Sequence, residues 1–387
     1  MTLLAFRPFP SLRAAFAAAA LGLAAIAPAA FAAPGLPPGE ILIGQDIDLS
    51  GTIAVRMKPL VAAADAYLER INATGGVHGR RIKVIRTDSA NKPDLTRQNV
   101  KTLVEKREVF AMWGISGTGN VTAALPYLTE RGVPLVGTTS GAESFYSTVH
   151  PMLVNTKAGY SQEIRRMATH LKSAYLSRVG IIYLDNGFGR EAFKSATEAV
   201  KESGLETTAV AKFKEDGSDI PAAVAAVAKT SPSAVFLLTL SGPAPKVVTE
   251  YRRTGGSTQF FALSIVAPDA LYSAIGDSAR GMIVTQIMPF PWDRSVPIVR
   301  EYHDLMQAKG VTEYSHSGLE GLVLAKTLVE GLRAAGRDPT RPRLMEALEK
   351  LRDKDLGGYR LSFSPTDHNG SDFVEITMIG RDGKLVR

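Results

Sequence analysis

Two short loops carry the residues with the most chemical potential. The first, residues 114–120 (GISGTGN), offers the hydroxyls of Ser116 and Thr118 among Gly114, Gly117 and Gly119. The second, residues 137–141 (GTTSG), offers Thr138, Thr139 and Ser140 and ends on Gly141. Hydroxyls beside glycines leave both O–H and backbone N–H groups free to donate, which suits a small anion, most simply a carboxylate. Each loop follows a short apolar run, residues 109–113 and 133–137, and residues 120–130 between them have helical spacing with Val121, Leu125 and Leu128 on one face. Two strands joined through a helix in this way lie side by side and parallel, so both loops emerge at the carboxyl-terminal edge of one sheet. Ligands bind at that edge in open α/β sheets, and the partial positive charge at the start of the helix favours an anion there. Either loop alone is an ordinary α/β connector; the pairing is what points to binding.

Catalytic chemistry finds little support. The six histidines, His78, His150, His170, His303, His316 and His368, are scattered and form no HExxH or other close metal spacing. GxSxG is absent, and GISGTG neither matches GxGxxG nor follows the first strand. No catalytic residue, metal or cofactor is therefore expected. The chain has 45 basic and 38 acidic residues, a diffuse excess of +7 without a basic, aromatic-interleaved run, which argues against nucleic acid as a partner.

The elements that would position the loops alternate along most of the chain. Before them, Arg7 and Arg13 precede an alanine-rich apolar run, and Ala30-Phe31-Ala32 offers small residues where a signal peptidase reads. Residues 1–32 read as a secretory signal peptide and 33–39 as a linker. The run is short of a membrane span, no later stretch is long and apolar enough for one, and there is no cysteine for lipid attachment or disulfides. Strands are expected over 40–47, 81–87, 109–113 and 133–137, with helices over 54–72, 94–107 and 120–130 between them. After a crossing near 151–156 the alternation restarts: strands near 178–184, 207–213, 234–239, 259–263 and 281–286, with helices between. Helices 299–309, 318–335 and 341–351 and strands near 359–363 and 374–379 follow. The expected fold class is α/β, two lobes, each a parallel sheet flanked by helices, joined by three crossings near Thr156, Gln286 and Asp355. Lobe I takes 40–157 and 287–355, lobe II 158–286 and 356–387.

The whole mature chain resembles the type I periplasmic solute-binding proteins, in particular the leucine/isoleucine/valine-binding group that serves ABC transporters. The marks are LSG at 49–51, INATGGVHGRRI at 71–82, the paired loops, YLDNGFGRE at 183–191, ARGMIVTQIMPFP at 279–291, LEG at 319–321, LGGYRLSFSP at 356–365 and IGRDGKLV at 379–386. Their order and spacing carry the resemblance. It implies a two-lobed clamshell that closes on one small ligand in the periplasm, works as a monomer and delivers to an inner-membrane ABC permease. The family's carboxylate ligands fall on Ser116, Gly117 and Thr118 in the first loop and on Thr139, Ser140 and Gly141 in the second. The aromatic that closes over the ligand falls on Arg56. The lobe II aromatics fall on Phe188 and Leu240, the second without its ring, and the acid that pairs with a ligand ammonium falls on Ser264. Tyr160, at the start of the first lobe II helix, is a further cleft candidate.

Without an acid at 264, a bound ammonium needs another partner, and Asp46, Asp48 and Glu320 are the candidates. The resemblance favours a branched-chain or related amino acid; Ser264 favours a small organic acid without an amine. A second role, an exported sensor reporting to a membrane receptor, is compatible with the same chain and would separate from transport by the neighbouring gene. Export itself is directly testable: N-terminal sequencing of the exported protein should start at Ala33, and a mature chain beginning at Met1 would refute the leader.

Overall fold

The computed structural model describes residues 1–2, 39–256 and 258–387. The leader, its cleavage point and all of the linker but Gly39 lie outside these, apart from the first two residues. No described helix is long and apolar enough to cross a membrane.

The first sheet has five parallel strands in the order β2-β1-β3-β4-β5: β1 is Glu40–Ile47, β2 Arg81–Asp88, β3 Ala111–Ile115, β4 Leu135–Thr138 and β5 Leu153–Val154. Helices α1 (Ala54–Ala73), α2 (Pro93–Glu105) and α3 (Thr118–Glu130) connect the first four. β3 and β4 are buried at every residue, as central strands covered on both faces must be. Their register sets the site. Ile115 stands opposite Thr138, so residues 116 and 139 leave the sheet side by side, and the Thr139 N–H bonds the Ile115 carbonyl at 3.1 Å.

The second sheet follows the order β14-β13-β10-β9-β8-β6-β7. After α4 (Tyr160–Ser173) come β6 (Arg178–Leu184), α5 (Gly187–Glu202), β7 (Glu206–Phe213), α6 (Ile220–Ala228), β8 (Ala234–Leu238), α7 (Ala244–Arg253), β9 (Gln259–Ala262), α8 (Pro268–Ile275) and β10 (Ile283–Gln286). Those five strands are parallel. The chain then returns to the first sheet's side as α9 (Pro297–Gln307), α10 (His316–Ala334) and α11 (Arg341–Glu349). A short hairpin, β11 (Lys354–Asp355) with β12 (Arg360–Leu361), precedes β13 (Glu375–Ile379) and β14 (Leu385–Val386). β13 comes back to the sheet from the far end, so it pairs antiparallel with β10, and β14 antiparallel with it. The second sheet is thus parallel over five strands and antiparallel over its last two.

The chain passes between the two sheets between β5 and α4, between β10 and α9, and a third time after residue 370. This third passage is later than Asp355. Tyr359 is buried and donates to the Thr156 carbonyl at 3.1 Å, and the Gly370 N–H bonds the Asn155 carbonyl at 2.8 Å. Those bonds hold 356–370 beside β5 instead of in the second sheet.

α10 is buried at nearly every position, including residues 316–325, so it is a core helix and not an amphipathic cover. It packs across α1, which buries Leu60, Ala63, Ala64, Tyr67 and Ile71. Gly321 makes the crossing possible: a Cβ there would lie 2.0 Å from the Leu60 carbonyl oxygen. Nothing flexible can give way on a backbone carbonyl. Gly321→Ala should therefore force the two helices apart and destabilise the protein by about 1–3 kcal/mol or more. A urea midpoint equal to the parent's would show that the crossing has slack.

Candidate functional site

A cavity of about 380 Å³ lies between the two sheets' loop edges. The first sheet contributes Ile53, Gly117, Thr118, Asn120 and Thr139; the second side contributes Tyr160, Gly187, Phe188, Leu240 and Ile265. Helix α3 starts at Thr118, α4 at Tyr160 and α5 at Gly187, so three helix N-termini border one space and add partial positive charge to it. Asn186 caps α5 by accepting from the Gly189 N–H at 3.0 Å. The two sides touch: Gly187 approaches Gly119, and the Gly242 N–H bonds the Thr52 carbonyl at 3.2 Å.

Of the sequence candidates, Gly117, Thr118, Thr139, Tyr160, Phe188 and Leu240 line this cavity. Thr139 Oγ1 is buried and finds no hydrogen-bond partner among the described residues, whereas Thr118 Oγ1 shares a 2.8 Å bond with Ser140 Oγ. Ser140 Oγ also accepts from the Ala142 N–H. Ser116 sits one layer back, its hydroxyl accepting from the Asp48 N–H at 2.7 Å. Gly141 has a packing reason: a Cβ there would lie 2.7 Å from the Tyr160 ring. Tyr160 is thereby pressed against the second loop and meets Phe188 edge to face, ring centroids 5.2 Å apart. Burial raises the Tyr160 phenol's pKa, opposed by hydrogen bonding to the Gly141 backbone and to the Thr118 and Ser140 hydroxyls.

The other candidates fall elsewhere. Arg56, where the resemblance puts the aromatic that closes over the ligand, is buried and ion-paired with Glu320, both side chains 3 % exposed. Its Nε also donates to the Ser264 carbonyl at 3.2 Å, linking the two sides. Arg56 and Ser264 line a second cavity of about 340 Å³, together with His316, Gln286 and Tyr302. Asp46 accepts from Thr87 Oγ1 at 2.7 Å and Asn99 Nδ2 at 2.8 Å under α2, and Asp48 caps the turn into α1 by accepting from the Gly51 and Ile53 N–H groups. Neither aspartate lines either cavity, because each holds framework at the end of β1.

Lys157 and Glu163 did not emerge from the sequence. Glu163 is fully buried and accepts from the Ser264 N–H (2.8 Å), Ser264 Oγ (3.0 Å) and Thr285 Oγ1 (2.6 Å). An acid therefore does stand behind position 264, supplied by α4. Burial raises its pKa; the Lys157 ammonium and the three hydrogen bonds oppose the rise. Lys157 is 1 % exposed, lies 5.8 Å over the Tyr160 ring, and has a single 3.5 Å contact to the Ala158 carbonyl. Burial lowers its pKa, opposed by Glu320 and Glu163. Glu163 lies three residues after Tyr160, one helical turn on, and that spacing was the available signal. Nothing local marks Lys157.

His316 adds a pH-sensitive element. Burial, with the Arg56 cation beside it, pushes the imidazole from 6.5 down to about 3. Between those values the unfolded chain holds a proton that the folded chain refuses, so stability falls on acidification through that window. His316→Gln should flatten part of the acid limb in urea midpoints measured from pH 7 to 4. An unchanged slope would mean that the imidazole does not titrate on unfolding.

The sequence pattern that defines a periplasmic binding protein family matches residues 40–384. The Leu/Ile/Val-binding protein homolog 7 of Brucella melitensis is 24 % identical over 404 residues, covering 94 % of this chain and 95 % of the relative. A substrate-binding periplasmic protein from Ralstonia solanacearum superposes with a TM-score of 0.83 at 32 % identity, covering 90 % of this chain and 99 % of that one. A branched chain amino acid ABC transporter protein from Thermus thermophilus, solved with bound valine, shares the fold at TM-score 0.82 and 17 % identity, over 91 % and 96 % of the two chains. With that pattern running over nearly all the described residues and the two-sheet architecture held in common, the chain belongs to the type I periplasmic binding proteins of the leucine/isoleucine/valine-binding family.

Proposed function

We propose that the protein is the substrate-binding component of an ABC transporter, capturing a small carboxylate between its lobes in the periplasm and delivering it unchanged to an inner-membrane permease. The observation that carries this reading is the buried, unpartnered Thr139 hydroxyl in a cavity bordered by three helix N-termini. Such a space attracts an anion and offers it directional donors. Phe188, Leu240, Ile53 and Ile265 would take the ligand's apolar body, and Thr118, Ser140 and Gly141 would hold the carboxylate end with Thr139. The valine in the Thermus thermophilus protein is a ligand of that kind. Lobe closure stores the binding energy: a ligand that touches both sides favours the closed arrangement by its differential affinity.

Thr139→Val removes the hydroxyl and keeps the shape. Calorimetry against a panel of small aliphatic and aromatic carboxylates should show the parent binding at least one of them. The variant should lose about 1.5–3 kcal/mol, roughly ten- to a hundredfold in Kd. A folded variant within about twofold of the parent would remove the hydroxyl from the site. A parent that binds none of the panel would sink the carboxylate reading.

A further inference from the structure

The turn between β2 and α2 holds a backbone conformation that its residues resist. Ala90 and Asn91 both have positive φ, 46° and 54°. Asparagine tolerates this left-handed region, whereas the Cβ of alanine makes it costly, and two such residues in succession persist only where their surroundings hold them. Here they are held. Asp88 Oδ1 accepts from the Ala90 N–H at 2.9 Å, Ser89 Oγ accepts from the Asn91 N–H at 3.3 Å, and the Lys92 N–H bonds the Ser89 carbonyl at 2.8 Å. Ser89 Oγ also accepts from Asn120 Nδ2 at 3.2 Å, which ties the turn to the segment 114–120. The turn is wedged between that segment and the approach to α1. A Cβ on Gly117 would lie 2.4 Å from Asn91 Oδ1, and one on Gly51 would lie 2.6 Å from the Ala90 carbonyl oxygen. Asn91 thus stands on the wall of the first cavity beside Gly117, while its Nδ2 donates to Thr52 Oγ1 at 2.8 Å. Glycine would form this turn more readily and needs no side chain to do so. The amide at 91 therefore has a use beyond the turn.

Thr52 is a point where the lobes meet. Its carbonyl accepts the Gly242 N–H of the second lobe at 3.2 Å, and one turn on, Arg56 Nε donates to the Ser264 carbonyl, also at 3.2 Å. Both ties start from the entry to α1. That entry lacks an ordinary cap, because Ile53 stands at the N-cap and has no side-chain oxygen to offer. Asp48 supplies acceptors to the Gly51 and Ile53 N–H groups, and Asn91 braces the Thr52 hydroxyl. On the reading that the lobes close over a ligand, we propose that Asn91 is a positioning residue for capture: from the wall of the first cavity it holds Thr52 where the Thr52 carbonyl meets Gly242. The wall that a ligand would touch and the contact between the lobes are then joined through one side chain.

Gly242 is exposed, so the Thr52 carbonyl is what slows exchange of its N–H. Amide hydrogen exchange followed by NMR on the full mature protein, with no carboxylate added, reads that bond directly. Asn91→Gly keeps the left-handed turn and removes the amide. Gly242 should then exchange roughly three- to tenfold faster, as the loss of one hydrogen bond implies. The factor should exceed that at Trp113 and Phe236, which are buried within the two sheets. Thr52→Val removes the hydroxyl, keeps the carbonyl and should act alike. Asn91→Asp can accept from the Thr52 hydroxyl and should keep the parent rate. Parent-like exchange at Gly242 in both Asn91→Gly and Thr52→Val overturns the proposal, as does an Asn91→Asp variant no slower than Asn91→Gly. Equal acceleration of Gly242, Trp113 and Phe236 overturns it as well, since a purely structural role would act on all three. So does a parent Gly242 that exchanges as fast as in an unstructured peptide. No ligand takes part, so each of these results leaves carboxylate capture to its own titration.

Discussion

Two cations and two anions are held out of water in the seam between the lobes, and their mutual neutralisation constrains everything around them. Isolated, any one of Arg56, Lys157, Glu163 or Glu320 would cost several kcal/mol to bury. Arg56 and Glu320 meet directly, and Glu163 is satisfied by Ser264 and Thr285 with Lys157 near it. The partners come from both lobes: α1 and α10 on one side, α4, the 264 segment and β10 on the other. Each pairing is completed within its own lobe, and the Arg56 bond to the Ser264 carbonyl is a direct tie across the seam.

The loop edge that lines the first cavity was legible because its cause is local. A strand, a glycine-and-hydroxyl loop and a helix within residues 109–141 dictate where Thr118 and Thr139 emerge, and the register of Ile115 against Thr138 places them as the spacing requires. Phe188 came from the resemblance, which places a lobe II aromatic there, and the structure sets it on the wall of the first cavity. The polar seam was not legible, since its pairs are remote in the chain: Arg56 with Glu320, and Glu163 with Ser264 and Thr285. Arg56 read alone is an arginine in an aromatic's place; only the arrival of Glu320 on α10 shows it as a buried ion pair. Asp46 and Asp48 looked available for the same reason. Their partners, Thr87 and Asn99 for one and the turn into α1 for the other, become visible only when the strands are paired.

Parallel pairing was legible where strands alternate with helices and failed at the end of the chain. A short apolar run such as 374–379 shows no direction by itself. Its antiparallel placement follows from the route: the chain has to traverse α9, α10, α11 and the β11–β12 hairpin before it reaches the edge of β10.

The crossing of α10 over α1 sets the order in which the molecule can be assembled. The face of α1 that carries Leu60, Ala64 and Ile71 stays bare until residues beyond 316 arrive, with the entire second sheet but its last two strands intervening. A nascent chain that ends anywhere before α10 has no way to finish its first lobe. The most extensive helix contact in the molecule is also among its most remote in sequence, which raises contact order and slows folding. The first lobe consequently cannot lock ahead of the rest, and a growing chain remains loosely structured until almost all of it is present.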